Sequence, residues 1–526
     1  SIKFIYTMLT CLLFCVKIQN EKNKYWRDVM SKKKLSLRAL VLMVFTSVFG
    51  FTNVTRSYYL MGYAAIPWFI ISCVTFFLPF AFMIAEYGSA FKDSEGGIYS
   101  WMEKSSGGKY AFMVTFMWYA SYIVWMVNVG SGIWIVLSNA IFGVDKTQSW
   151  SLFGLDSVKT LGILAILWII ILTFISSKGV DKIKKFTSFG GSAVALINVF
   201  LFVGGILMLL LNKGGVGDPI TVNALAHSPN PAYAGGLQVL SFIVYAIFAY
   251  GGLEVVGGLV DQTENPEKNF PKGIIISAVV VSLGYSLGIL IFGTFTKWSF
   301  AFTQFSAQKI TLGNVSYIAM NHMGYQLGLA FGLAESAARN VGLWVSRYMG
   351  ISMFLALTGA FFTLIYSPLK QLIGGTPKEL WPKSWTEQKN GVYTKPMMYQ
   401  AICVIVIIAI VSFGGKSAQQ FFQILVSMTN VSMTLPYFFI AYSFLAFRRN
   451  ESIERPFVRF KTYSTVKVAV AVTCFIVGFA NLFTVIEPAI SSGDWLTTIM
   501  SIAGPLIFTL IALYLYRRME KSKEIA

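Results

Sequence analysis

The segment Leu37–Gly62 reads LRALVLMVFTSVFGFTNVTRSYYLMG, an apolar run with Phe49-Gly50-Phe51-Thr52-Asn53 at its middle. A membrane span needs about 20 mostly apolar residues, and this run has them. Its middle is a poor helix. Glycine costs about 1 kcal/mol against alanine, and Thr and Asn side chains compete for backbone hydrogen bonds. A second run, Leu237–Val260, carries Phe248-Ala249-Tyr250-Gly251-Gly252-Leu253-Glu254 in a corresponding place. Unwound backbone inside a bilayer is tolerated only where protein buries it or it lines a cavity. Two such breaks, five helices apart, predict an inverted-repeat carrier with its site at the breaks. Close helix packing through a small residue is the plainer reading of Gly50 taken alone.

Ten further apolar runs flank these two: Pro67–Tyr87, Tyr110–Phe142, Val158–Ser176, Thr187–Leu211, Gly273–Thr296, Leu343–Tyr366, Pro396–Phe413, Phe421–Phe447, Val466–Ile486 and Trp495–Tyr516. Numbered in chain order, Leu37–Gly62 is helix 1 and Leu237–Val260 is helix 6. Of the 526 residues, 56% are hydrophobic and only 12% charged, about half the charge that covers a soluble domain. The 45 Phe and 13 Trp exclude a disordered chain, and five Cys are too few for a disulfide scaffold. An all-α, polytopic membrane protein of twelve helices remains.

The chain carries 42 Lys and Arg against 23 Asp and Glu. No basic stripe with interleaved aromatics is present, so nucleic acid is not the expected partner; the lipid bilayer and a small molecule are. With Met30 inside, 28 basic residues fall in inside segments and 7 in outside ones. The positive-inside rule then places both termini in the cytoplasm, in a multi-pass protein of the cell's inner (plasma) membrane. Residues 1–29 read as an extension upstream of a start at Met30, although Ile2–Val16 also has the length of a signal-peptide core. Residues 30–518 read as one domain: a first repeat over 37–211, a second over 237–447, and two extra helices over 466–516. Residues 519–526 are a cytoplasmic tail. The outside segment Asn314–Arg339 reads as a re-entrant or surface helix pair.

A broken helix offers N–H groups at the start of its second half and C=O groups at the end of its first. The first set suits a carboxylate and the second an ammonium, the two ends of an α-amino acid. At this point the sequence resembles a known family. FAYGGLEVVGGLVDQTENPEKNFPK (Phe248–Lys272) and AEYGSAFKDSEGGIYSWMEKSSG (Ala85–Gly107) are similar to signatures of the amino acid–polyamine–organocation superfamily. TPKELWPKSWTEQKNG (Thr376–Gly391) resembles the glutamate/γ-aminobutyrate antiporter branch. The resemblance implies twelve helices in a five-plus-five inverted repeat with helices 1 and 6 broken, and amino acid transport by alternating access. It puts the α-carboxylate cradle on Phe49, Gly50, Phe51, Thr52 and Asn53, and the α-amino site on Phe248, Ala249, Tyr250 and Gly251. Many members have Gly-Ser-Gly where this chain has Gly50-Phe51-Thr52.

Ionisable groups within spans are costly and need an explanation. Glu254, one turn past the helix 6 break, is the candidate gating or proton-sensing carboxylate, with a structural acceptor as the alternative. Arg56 either holds a substrate carboxylate or pairs internally near the outer gate. Glu86 and Asp261 read as loop anchors or a cytoplasmic gate, Arg347 as an interfacial residue, and His322 as a plain surface histidine. No metal or cofactor is called for, since no histidine lies in a span, and no paired nucleophile and base of an enzyme is visible. Helix 5, over Thr187–Leu211, holds no ionisable residue. Some proton-coupled members of the superfamily that it resembles carry a lysine there, so the resemblance makes amino acid exchange the leading expectation, with proton-coupled symport or a transporter-like sensor as alternatives.

Overall fold

The computed structural model of the chain describes residues 35–92, 97–255, 260, 263–389, 391–414 and 417–525. The extension expected over residues 1–29 and the anchor or gate expected at Asp261 lie outside them. Twelve helices, numbered as in the sequence, can be followed among the described residues. Helix 1 is Leu37–Val48 and then Phe51–Met61. Helix 2 runs from Ala65 to Ala90 through a π-turn at Cys73–Phe77. Helix 3 is Gly108–Phe142, helix 4 Ser157–Ser176, helix 5 Val180–Leu211 and helix 6 Gly236–Ala249. Helix 7 is Pro266–Phe295, helix 8 Glu335–Leu364 and helix 9 Thr394–Gly414. Helices 10, 11 and 12 are Ala418–Arg449, Tyr463–Ser492 and Trp495–Ile525. Among the described residues, nine helical stretches are long and apolar enough to cross a membrane, and Leu196–Leu211 and Gly236–Ala249 are shorter apolar helices. The only β pairing among the described residues is two isolated bridges.

Amphipathicity is inverted relative to a soluble protein. Leu210, Phe475 and Leu510 are about two-thirds exposed, while Thr55, Ser131, Asn139 and Thr434 are buried. An apolar exterior suits hydrocarbon, and the side chains of Thr55, Asn139 and Thr434 bond across helices, Asn139 Oδ1 accepting from Ser346 at 3.1 Å.

The segment Asn314–Arg339, expected outside, differs from the expected helix pair. One helix, Val315–Ala330, turns directly into helix 8, which starts at Glu335 rather than Leu343. Glu335 sits in the first turn, where the helix dipole favours an acid, and pairs with Arg339 at 2.9 Å. That polar turn prolongs the helix beyond the apolar window. The glycines that interrupt Val315–Ala330 are its packing face: a Cβ on Gly328 would lie 2.7 Å from Ala338 Cα.

His322, expected at the surface, is buried instead. It sits among Phe300, Phe305 and Tyr325 and shares a hydrogen bond with Gln326. An amphipathic helix that docks on helix 8 buries its histidine with its apolar side. Burial pushes the imidazole down to about 3. Its folded-state pKa is depressed, so the neutral ring favours folding above the ordinary histidine range, and that contribution is lost as pH falls from there towards 3.

Candidate substrate site

Helix 1 breaks over two residues. Phe49 (φ −75°, ψ 103°) and Gly50 (φ −95°, ψ 113°) are extended, and the helix resumes at Phe51. Asn53 N–H donates to Gly50 C=O at 3.0 Å. Phe51, Thr52 and Asn53, expected in the unwound stretch, are therefore the helix's first turn, whose leading N–H groups have no intrahelical acceptor.

Helix 6 stops at Ala249, and Tyr250–Glu254 form turns with Gly252 at φ 116°. Positive φ is open to glycine at no steric cost.

Tyr285 of helix 7 joins the two breaks. Its hydroxyl accepts from Gly50 N–H at 2.9 Å and Asn53 Nδ2 at 3.3 Å. It lies 2.7 Å from Ala249 C=O and 3.1 Å from Val48 C=O. One proton serves the two carbonyls, and Ala249 is the nearer. Tyr245 of helix 6 donates to Asn53 Oδ1 at 3.4 Å, so Asn53 is gripped from helices 6 and 7. A Cβ on Gly50 would lie 2.7 Å from Asn53 Nδ2, so the approach needs glycine.

Glu254 is buried and accepts three hydrogen bonds. Gly252 N–H donates at 3.1 Å, Trp118 Nε1 at 3.4 Å and the Tyr437 hydroxyl at 3.5 Å. The carboxylate thereby caps the unwound end of helix 6. Tyr250 donates to Phe69 C=O at 3.1 Å and stacks on Phe77 at 4.4 Å.

Beside the breaks lies a cavity of about 210 Å³, below the roughly 300–1,000 Å³ of drug-sized ligand sites. Thr52, Asn53 and Arg56 line it from helix 1 and Phe248 from helix 6. Asn128, Tyr317 and Asn430 complete its polar lining with Ser316. Phe49, Gly50, Phe51, Ala249, Tyr250, Gly251 and Glu254 stand behind this wall and do not line it.

A hollow of about 30 Å³ shares Leu312, Val426 and Asn430 with the cavity. It shares Tyr233, Gln423 and Glu487 with a mouth of about 920 Å³ at the helix 11–12 turn, Gly493–Trp495. On the other side, the rings of Phe49, Phe69, Phe77, Tyr250 and Tyr285 pack together. Beyond them Glu86 is paired with Arg448 at 2.6 Å. Arg347 donates to Ile141 C=O and Phe142 C=O at 3.2 Å, binding helix 8 to the end of helix 3.

A family model described as amino acid permease matches residues 35–513. The chain belongs to the amino acid permease family. It is 49% identical over 486 residues to the inner membrane transporter YjeM of Salmonella typhimurium, covering 92% of this chain and 96% of the relative. A glutamate/gamma-aminobutyrate antiporter of Lactococcus lactis is 23% identical over 440 residues, covering 80% and 77% of the two chains. A probable agmatine/putrescine antiporter, AguD, of the same organism is 28% identical over 255 residues, covering 48% and 50%. The family and these relatives make the chain a membrane transporter rather than an enzyme.

Tyr285, Asn128, Ser316, Tyr317 and Asn430 escaped the sequence reading. Asn128 and Asn430 carried a usable signal, an amide inside an apolar span. Tyr285 carried none, since tyrosines are common in these spans and nothing near it breaks the helix.

Proposed function

We propose that this chain moves amino acids by alternating access, exchanging one for another, with the substrate bound where helices 1 and 6 break. The meeting of both breaks on the Tyr285 hydroxyl, beside an amino-acid-sized cavity, carries this reading. The N–H of Thr52, which lines the cavity, meets the α-carboxylate, and the carbonyl of Phe248, on the cavity wall near the end of helix 6, meets the α-ammonium. Exchange rather than proton symport is favoured by the absence of an ionisable residue in Thr187–Leu211 and by antiporters among the relatives. Those antiporters are named for cargoes of opposite charge, so the family leaves the cargo's side chain to the cavity. The test is counterflow into proteoliposomes holding only this protein. Labelled amino acid should enter loaded vesicles quickly and empty ones slowly; equal uptake into empty vesicles under a proton gradient excludes obligatory exchange.

On the topology read from the basic residues the helix 11–12 turn is external, and the hollows between the central cavity and that turn support reading this as an outward-facing state. A single cysteine at Ser306 should then react with an impermeant maleimide applied to intact cells, and one at Ser384 should not. The opposite pattern inverts the topology.

Glu254, read as both cap and pH-sensing group, gives a further expectation. Gln keeps an acceptor for Gly252 N–H, so Glu254→Gln should fold and transport, while losing most of any pH dependence of counterflow between pH 5 and 8. An unchanged profile leaves Glu254 as a cap alone.

A further inference from the structure

Among the described residues, Arg56 is the one basic or acidic side chain that lines the central cavity. It makes no ion pair or hydrogen bond among the described residues, and its Nε is buried without a partner. A guanidinium inside a membrane protein is costly unless it is paired or wet, and its five donors form a fork that matches a carboxylate. The acid across Tyr317, Asp145, is already engaged. Its Oδ1 accepts from Thr147 N–H at 2.9 Å and from the Thr147 hydroxyl, and its Oδ2 from Asn314 Nδ2 at 3.1 Å. No carboxylate of the described residues lines the cavity to neutralise a cationic ligand.

The position of Arg56 adds a length. It lies four residues beyond Thr52, hence one turn further along the same helix face, about 6 Å along the axis. Long side chains on a helix lean back towards its N-terminus, and Arg56 and Thr52 line the same cavity. The two carboxyl carbons of aspartate or glutamate stand roughly 4–5 Å apart on standard bond lengths. The helix start and Arg56 therefore form two anion positions at the spacing of a dicarboxylic amino acid. The amides of Asn128 and Asn430 and the hydroxyl of Tyr317 supply further polar contacts around them.

We propose that Arg56 is the specificity-determining residue of this site and reads a second, side-chain carboxylate, so that the cargo is an acidic amino acid. The proposal rests on the substrate-site reading above, which places the α-carboxylate at the start of the second half of helix 1.

Glutamate against glutamine, and aspartate against asparagine, test it, because each pair differs little but in the charge. In proteoliposomes, wild-type counterflow should be inhibited by the acid at concentrations at least tenfold below those of its amide. Arg56→Gln should bring that ratio to within about threefold. Arg56→Lys keeps the charge without the fork and should fall between. Thermal shift of the purified protein with glutamate and glutamine reads the same preference without transport. A wild type that treats acid and amide alike overturns the proposal while leaving amino acid exchange standing, and it does so without any variant. An Arg56→Gln variant that keeps the acidic preference also overturns it. Equal loss of acid and amide in Arg56→Gln assigns Arg56 to the α-carboxylate and overturns the second-carboxylate role. Failure of every amino acid to drive counterflow instead removes the exchange reading itself.

Discussion

Tyr285→Phe should reduce counterflow by at least tenfold while the protein remains folded. The substitution removes one oxygen and leaves the ring on Phe49 and Phe69, at 4.7 and 5.0 Å. What is lost is the junction. Gly50 N–H loses its acceptor and Ala249 C=O its donor, one on each broken helix. A buried polar group left unpaired costs about 1–3 kcal/mol, and 1.4 kcal/mol is a factor of ten. The cost falls on the state in which the breaks meet, so it acts on the balance between states of the transport cycle. Thermal stability should drop only modestly, because Asn53 keeps its bond to Tyr245 at 3.4 Å. Counterflow and melting of the purified variant separate the two effects. Full transport by Tyr285→Phe would mean that water fills the place of the hydroxyl and that the junction is scaffolding.

The fold was legible because a membrane imposes its pattern residue by residue. Apolar runs of span length, basic loops and two mid-span breaks are local properties, and the twelve spans follow them closely. Where the reading and the structure part, a long-range contact decided the outcome. Helix 1 is broken over Phe49–Gly50 rather than through Asn53, and the Tyr285 hydroxyl of helix 7 holds that geometry by accepting from Gly50 N–H and Asn53 Nδ2. His322 is buried because the glycines around it, which read as interruptions, are where Val315–Ala330 docks on helix 8. The candidate site was half legible for the same reason. Thr52, Asn53, Arg56 and Phe248 flank the breaks in sequence and also line the cavity. Asn128, Tyr317 and Asn430 reach it from elements that only folding brings near. Arg56 had two open readings in the sequence, and the described residues hold no acid paired with it.

Removing the Glu86 carboxylate should be the most destabilising of these changes. Glu86 is fully buried, and its partner Arg448 is 9% exposed in its side chain, with 2.6 Å between them. The other carboxylate oxygen accepts from Arg459 N–H at 2.7 Å and Phe460 N–H at 3.0 Å. Arg448 in turn donates to Phe460 C=O at 2.7 Å. One carboxylate thus ties helix 2, the end of helix 10 and the loop leading to helix 11. Breaking a buried pair from one side costs about 3–5 kcal/mol, since the remaining charge stays buried and alone. Glu86→Ala should therefore lower the melting temperature markedly, with much of the protein lost to aggregation in detergent. Glu86→Gln, which retains an acceptor for the two backbone N–H groups, should lose less. A double change to Glu86→Leu and Arg448→Leu removes the stranded charge and should recover part of the loss. It cannot recover all of it, because the N–H groups of Arg459 and Phe460 stay unpaired. A Glu86→Ala protein that melts like wild type, but in which a cysteine near Phe460 becomes newly reactive, would make the cluster a gate that opens during the cycle. Markedly lower melting with no such gain in reactivity is the result expected of an anchor.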